Sequence, residues 1–162
     1  MKKALVFVLV ALLAVGMIFA GSAKGASKKD ALSLGINVGT NNGVVVNYGF
    51  GKFDLESIIG FGVLNGTGLD IEVAGNFEVV DVAKECRFDG AMPFTVGGEV
   101  FVQTDFKEVG LGVVAPLKLA YTFEDAPVTL YFRVAPGVYI TFGENADVGF
   151  GVSAGLGATY NF

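Results

Sequence analysis

The sequence contains no histidine, and that absence removes much of enzyme chemistry. Without an imidazole there is no Ser–His or Cys–His nucleophile system. It contains a single cysteine, Cys86, so no internal disulfide can form. No apolar lipobox precedes Cys86, which reads as an incidental thiol near a turn. Charge is scarce as well. Asp, Glu, Lys and Arg make up 17% of the 162 residues, against about 25% in soluble domains. Little is left to cover a soluble surface. Metal-ligand spacings are absent. Only one long apolar run occurs, at the N-terminus, so no membrane helix is expected after it.

That run has the order of a secretory signal. Lys2 and Lys3 are followed by the apolar stretch Ala4 to Ala20 and then by Gly21-Ser22-Ala23 and Ala23-Lys24-Gly25. Cleavage after Ala23 or Gly25 meets the small-x-small rule. We take residues 1–25 as a signal peptide and 26–162 as the mature domain. The alternative, an uncleaved spanning helix, sits at the lower length limit of about 17 residues. Removing Lys2, Lys3 and Lys24 from the 11 basic residues leaves 8 against 16 acidic ones, a net charge of −8. Phosphate binding needs a basic face, so a nucleic-acid partner is excluded.

What the chain has in quantity is glycine, 24 residues without an every-third repeat, and hydrophobic residues at 52%. From Ala31 onward the pattern has period two. Eight strands are predicted: Ala31 to Thr40, Gly43 to Gly51, Asp54 to Leu64, Leu69 to Asp81, Pro93 to Thr104, Val109 to Phe123, Val128 to Phe142 and Val148 to Phe162. Turn chemistry separates them at Asn41-Asn42-Gly43, Lys52-Phe53-Asp54, Asn65 to Gly68, Asp105 to Glu108, Glu124 to Pro127 and Gly143 to Asp147. The connection Val82 to Met92 is longer, and no helical period persists in it.

The last strand carries the clearest pattern. Val148, Phe150, Val152, Ala154, Leu156, Ala158, Tyr160 and Phe162 fall on one face. Gly149, Gly151, Ser153, Gly155, Gly157, Thr159 and Asn161 fall on the other. Alternation alone fits a soluble barrel with its apolar face inside, or a membrane barrel with that face toward lipid. The second face decides, because it is uncharged and glycine-rich, unlike a soluble surface. Fifteen of the 24 glycines lie on the non-apolar register and only Gly75 and Gly98 on the apolar one. The fold class expected is all-β, an eight-stranded antiparallel up-and-down transmembrane barrel. Lipid cannot satisfy a bare sheet edge, so the first strand must pair with the last. Aromatics would form girdles, with Phe50, Phe53, Phe94, Tyr121, Phe123, Tyr160 and Phe162 at one end and Phe61, Phe106, Phe142 and Phe150 at the other.

The ending Leu156-Gly157-Ala158-Thr159-Tyr160-Asn161-Phe162 resembles the final strand of bacterial outer-membrane barrel proteins. As a pattern the resemblance covers roughly residues 31 to 162 and points to the small OmpA/OmpX-type class. It implies residence in the outer membrane of a diderm bacterium, with outer-membrane lipid around a monomer. It also implies that Tyr160 and Phe162 form the signal read by the barrel assembly machinery. The outer loops are shorter than in adhesin-like members.

Inside such a barrel the inward charges are Glu56, Asp70, Glu72, Glu78, Glu99, Lys118 and Arg133. Glu78, Glu99, Lys118 and Arg133 lie on successive strands and at similar heights, counted from the strand ends. Buried charges need partners, so these four are expected to form a salt-bridged plug. The alternative is a gate in a narrow pore for ions or small solutes. Inward glycines leave one wall bare, and Phe101, Tyr131, Arg133 and Tyr139 on the other wall would fill the gap. Asp70 and Glu72 read as lumen lining rather than a catalytic carboxylate pair. No catalytic site, cofactor or metal is expected. A soluble lipocalin-like periplasmic ligand-binding barrel stands as a further alternative. Pro116 and Pro136 fall inside strands, where each calls for a bulge and a one-residue register shift beyond it.

Overall fold

Period-two alternation folds as it must, into strands. The computed structural model describes residues 31–62, 68–87, 89–105, 108–142 and 146–162. The signal segment 1–25, turn residues 65–67, Phe106 and residues 143–145 of the last predicted turn lie outside them. The elements are β1 (Leu32–Gly39), β2 (Asn41–Phe50), β3 (Phe53–Gly62), β4 (Gly68–Asp81), α1 (Val82–Cys86), β5 (Pro93–Thr104), β6 (Val109–Val114), β7 (Leu117–Thr122), β8 (Val128–Phe142) and β9 (Asp147–Asn161). All nine strands belong to one antiparallel sheet, and it closes on itself. The first strand pairs with the last, from Ser33↔Asn161 to Gly39↔Gly155. Asn161 also accepts from the Ser33 hydroxyl at 2.8 Å, and Phe162 donates its N–H to the Leu32 carbonyl at 2.9 Å.

The predicted sixth strand is two. It breaks at Ala115-Pro116 into β6 and β7, which together fill one stave between β5 and β8. The cause is a pair of missing donors. Ala115 donates to the Pro136 carbonyl at 2.8 Å, and Gly97 donates to the Pro116 carbonyl at 2.9 Å. The return bonds would need N–H groups that Pro136 and Pro116 lack. The expected bulges and register shift do not occur there. Val114 faces Gly137 and Leu117 faces Val134, a constant offset, and the offset toward β5 is constant too. Alternation therefore survives: Leu111, Val113, Leu117 and Leu119 are all exposed, while Lys118 and Ala120 are buried. The register shift lies elsewhere, between Glu78 and Val80 of β4.

Three smaller corrections concern the connections. Asn41 and Asn42 belong to β2, because β3 is long enough to pair with them through Gly62 and Phe61. The turn between β2 and β3 is Gly51-Lys52, with Phe50 facing Phe53. Gly51 has φ 69°, which suits glycine at the first position of a two-residue hairpin turn. Between β4 and β5 the chain forms the one-turn helix α1, ended by Arg87 in the left-handed region. Val82 donates to the Met92 carbonyl at 2.8 Å, Met92 to Asp81 Oδ1 at 3.0 Å, and Ala91 exchanges two bonds with Thr122.

The faces are inverted relative to a water-soluble domain. Among the described residues twelve polar or charged ones are buried against eight hydrophobic ones. Ile36, Val38, Val113, Val138, Val148, Phe150, Val152 and Leu156 all exceed half exposure. The lumen is filled by aromatics lying on glycines of the neighbouring strand rather than reaching from a far wall. Phe101 faces Gly112, Tyr131 faces Gly157 and Tyr139 faces Gly149. A Cβ at Gly157 would stand 2.1 Å from the Tyr131 ring and one at Gly112 2.3 Å from the Phe101 ring. The Tyr131 ring is not free to move away. It is 5% exposed, and its hydroxyl reaches over Gly157 to donate to Asn37 Oδ1 on β1 at 3.1 Å. Gly157→Ala should therefore destabilise the ring by about 1–3 kcal/mol through overpacking. Gly98→Ala, with nothing within 4 Å of its Cβ, should change stability far less. Denaturant titration followed by circular dichroism compares the two.

Candidate functional site

Four strands supply the acidic and basic side chains that meet inside the ring, with β5 adding a fifth contribution. Glu72 lies on β4 and Glu99 on β5, while Asp54 and Glu56 lie on β3. Lys118 comes from β7 and Arg133 from β8. Every one of them occupies an inward register position, and Glu56, Glu72, Glu99, Lys118 and Arg133 are all buried.

Arg133 is the centre of the layer. Its Nη1 lies 2.9 Å from Glu72 and 3.6 Å from Glu56, and its Nη2 lies 2.7 Å from Glu99. Both Glu99 oxygens accept from the same Nη2. A planar guanidinium suits several carboxylates at fixed angles better than an ammonium does. Lys118 Nζ lies 2.8 Å from Glu56 and 3.3 Å from Asp54, and 6.0 Å from the centre of the Tyr131 ring. Amides complete the carboxylates. Asn47 and Asn76 donate to Asp54 at 3.0 and 2.8 Å, and Asn41 donates to Glu72.

This layer divides the lumen. One cavity of about 200 Å³ opens at the end that carries the chain termini, and Glu56 and Lys118 line its floor. A second, of about 280 Å³, lies on the other side, lined by Glu72 and Glu99. Among the described residues none lines both cavities, and Arg133 lines neither.

Of the four residues picked from the sequence, Glu99, Lys118 and Arg133 belong to the layer. Glu78 does not. It lies six residues beyond Glu72 on β4, about 20 Å along the strand, next to the bulge. There it lines the lower cavity, half-buried, and makes none of the ion pairs. Glu56 and Glu72, noted only as inward, take its place, and Asp54 joins from a position read as the junction of a turn and the third strand. The missing signal is stagger. Barrel strands tilt, so residues at equal distance from their strand ends do not meet across the lumen.

Aromatics gather at the end that carries the termini. The rings of Tyr48 and Phe50, Phe50 and Phe53, Tyr121 and Phe123, and Tyr160 and Phe162 lie 4.9 to 5.5 Å apart. Tyr160 and Phe162 point outward and are 50% and 71% exposed. Cys86 is exposed and distant from the layer.

No protein-family model matches the chain, and neither a curated protein nor a solved structure matches it. The geometry therefore stands by itself.

Removing one partner from a buried ion network leaves the others uncompensated. Arg133→Met should cost about 3–5 kcal/mol, because Glu72 and Glu99 lose their shared cation. Adding Glu72→Gln and Glu99→Gln to that variant should recover much of the loss. Unfolding free energies of the single and triple variants make the comparison.

Proposed function

We propose that the mature chain is an integral outer-membrane β-barrel of a diderm bacterium, monomeric and non-enzymatic, whose charged layer plugs its interior. Its task on this reading is structural or surface contact in the cell envelope. The observation that carries it is the inversion of the closed ring, apolar side chains outside and ion-paired charges inside. In water an apolar exterior of this extent would drive association. In lipid it is the required surface, and a closed ring is one of the two spanning forms with no unpaired backbone. Paired aromatics at one end, with exposed Phe61, Phe142 and Phe150 toward the other, suit headgroup girdles. The outward Tyr160 and Phe162 on the closing strand leave the assembly signal implied by the terminal pattern accessible.

Purified protein should stay in the membrane fraction and migrate differently boiled and unboiled in mild detergent. Full solubility without detergent and no mobility shift would overturn the reading. Leu156, 62% exposed on β9, should tolerate arginine poorly. Leu156→Arg should cost about 2–4 kcal/mol in bilayers if the site lies near the midplane. An unchanged folding free energy in vesicles contradicts the assigned outer face. In planar bilayers the wild-type barrel should give no conductance steps, since Arg133 separates the two cavities. Steady steps from the wild type would instead make it a narrow pore gated by the same residues.

A further inference from the structure

Two cations do not balance the layer. Arg133 and Lys118 stand among Asp54, Glu56, Glu72 and Glu99. Asp70 adds another carboxylate and is 2% exposed. It takes part in none of the ion pairs, and its Oδ1 is buried with no hydrogen-bond partner. Arg133 is shared with three other carboxylates, and a buried carboxylate oxygen without a partner favours a further donor or counter-charge beside it.

Asp70 lines the second cavity, of about 280 Å³, where it faces Gln103 across the β4–β5 ladder. Glu72 and Glu99 line the same cavity from the next levels down, held from below by Arg133. These acceptors are spread along two strands. No three acidic side chains among the described residues converge to hold a metal ion. A point charge therefore fits poorly. A cation with several N–H donors fits well, since it can reach acceptors at different heights. Arg133 already does this on the floor, bridging Glu72 and Glu99 with one guanidinium.

We infer that this cavity binds a small organic cation bearing N–H donors, of the guanidinium or primary-amine type. Asp70 is its counter-ion, and the Gln103 amide oxygen is a second acceptor. The inference depends on the closed ring and its cavity, not on the medium around the barrel. Failure of binding is thus separable from failure of the membrane reading, which the boiled-and-unboiled gel reports.

Agmatine, with a guanidinium at one end and an amine at the other, is the probe for calorimetric titration of the folded protein. It should bind saturably, whereas tetramethylammonium, which has no N–H, and sodium should not. Asp70→Asn should weaken agmatine binding by at least about tenfold, the loss of one charge-assisted contact. Gln103→Lys should abolish it, because a tethered ammonium opposite Asp70 takes the ligand's place. Both variants are checked for the intact ring by their gel shift. No saturable binding to the wild type overturns the inference, as does equal binding of tetramethylammonium. Unchanged affinity in Asp70→Asn overturns it as well. If Asp70→Asn does not fold, unchanged affinity in Gln103→Lys does so.

Discussion

The ladder between β1 and β9 is the constraint on which the rest depends. It joins the two ends of the chain and leaves the sheet without an edge. Once the ring is closed, each strand has one face toward the lumen and one away from it, and the alternation acquires a meaning. A ring of this size is barely wide enough for side chains. Its inner face must therefore be built from residues that interlock, which explains why bare glycines alternate with large rings on adjacent strands. The outer face has no packing partner of its own, and it is there that the valines, leucines and phenylalanines of nearly every strand are displayed.

Inside, the charged layer acts as a set of struts. Arg133 on β8 reaches Glu72 on β4, and Lys118 on β7 reaches Glu56 on β3. Each link spans the lumen rather than joining neighbours. Buried ion pairs contribute little net stability, because desolvation offsets attraction. Their effect here is to tie walls that no backbone bond connects. The Tyr131–Asn37 hydrogen bond adds a shorter tie along one wall, from β8 over Gly157 of β9 to β1.

The alternation, the inward side of the glycines and the pairing of first strand with last were legible from residue order, because each follows from the two-residue repeat or from closure. The composition of the charged layer was not. Glu78 and Glu72 share a strand and a face, and only tilt and the bulge beyond Glu78 decide which of them meets Arg133. Asp54 was missed because it stood at the junction of the predicted turn and the predicted third strand, whereas β3 begins at Phe53 and gives Asp54 an inward place. The five-residue α1 is too short to leave a period. Pro116 announced a disruption correctly, yet its kind could not be read. Whether a proline forces a bulge or merely empties a rung depends on the neighbours, and here Pro136 stands opposite Ala115, so the irregularity stays within one short gap.

That gap interrupts the bonding of the sixth stave without interrupting its facing. One rung is missing toward β5 and one toward β8, yet β6 and β7 keep the same offset to both neighbours. Val114, Pro116 and Lys118, on the two sides of the break, are all buried, so the lumen lining runs through it unbroken.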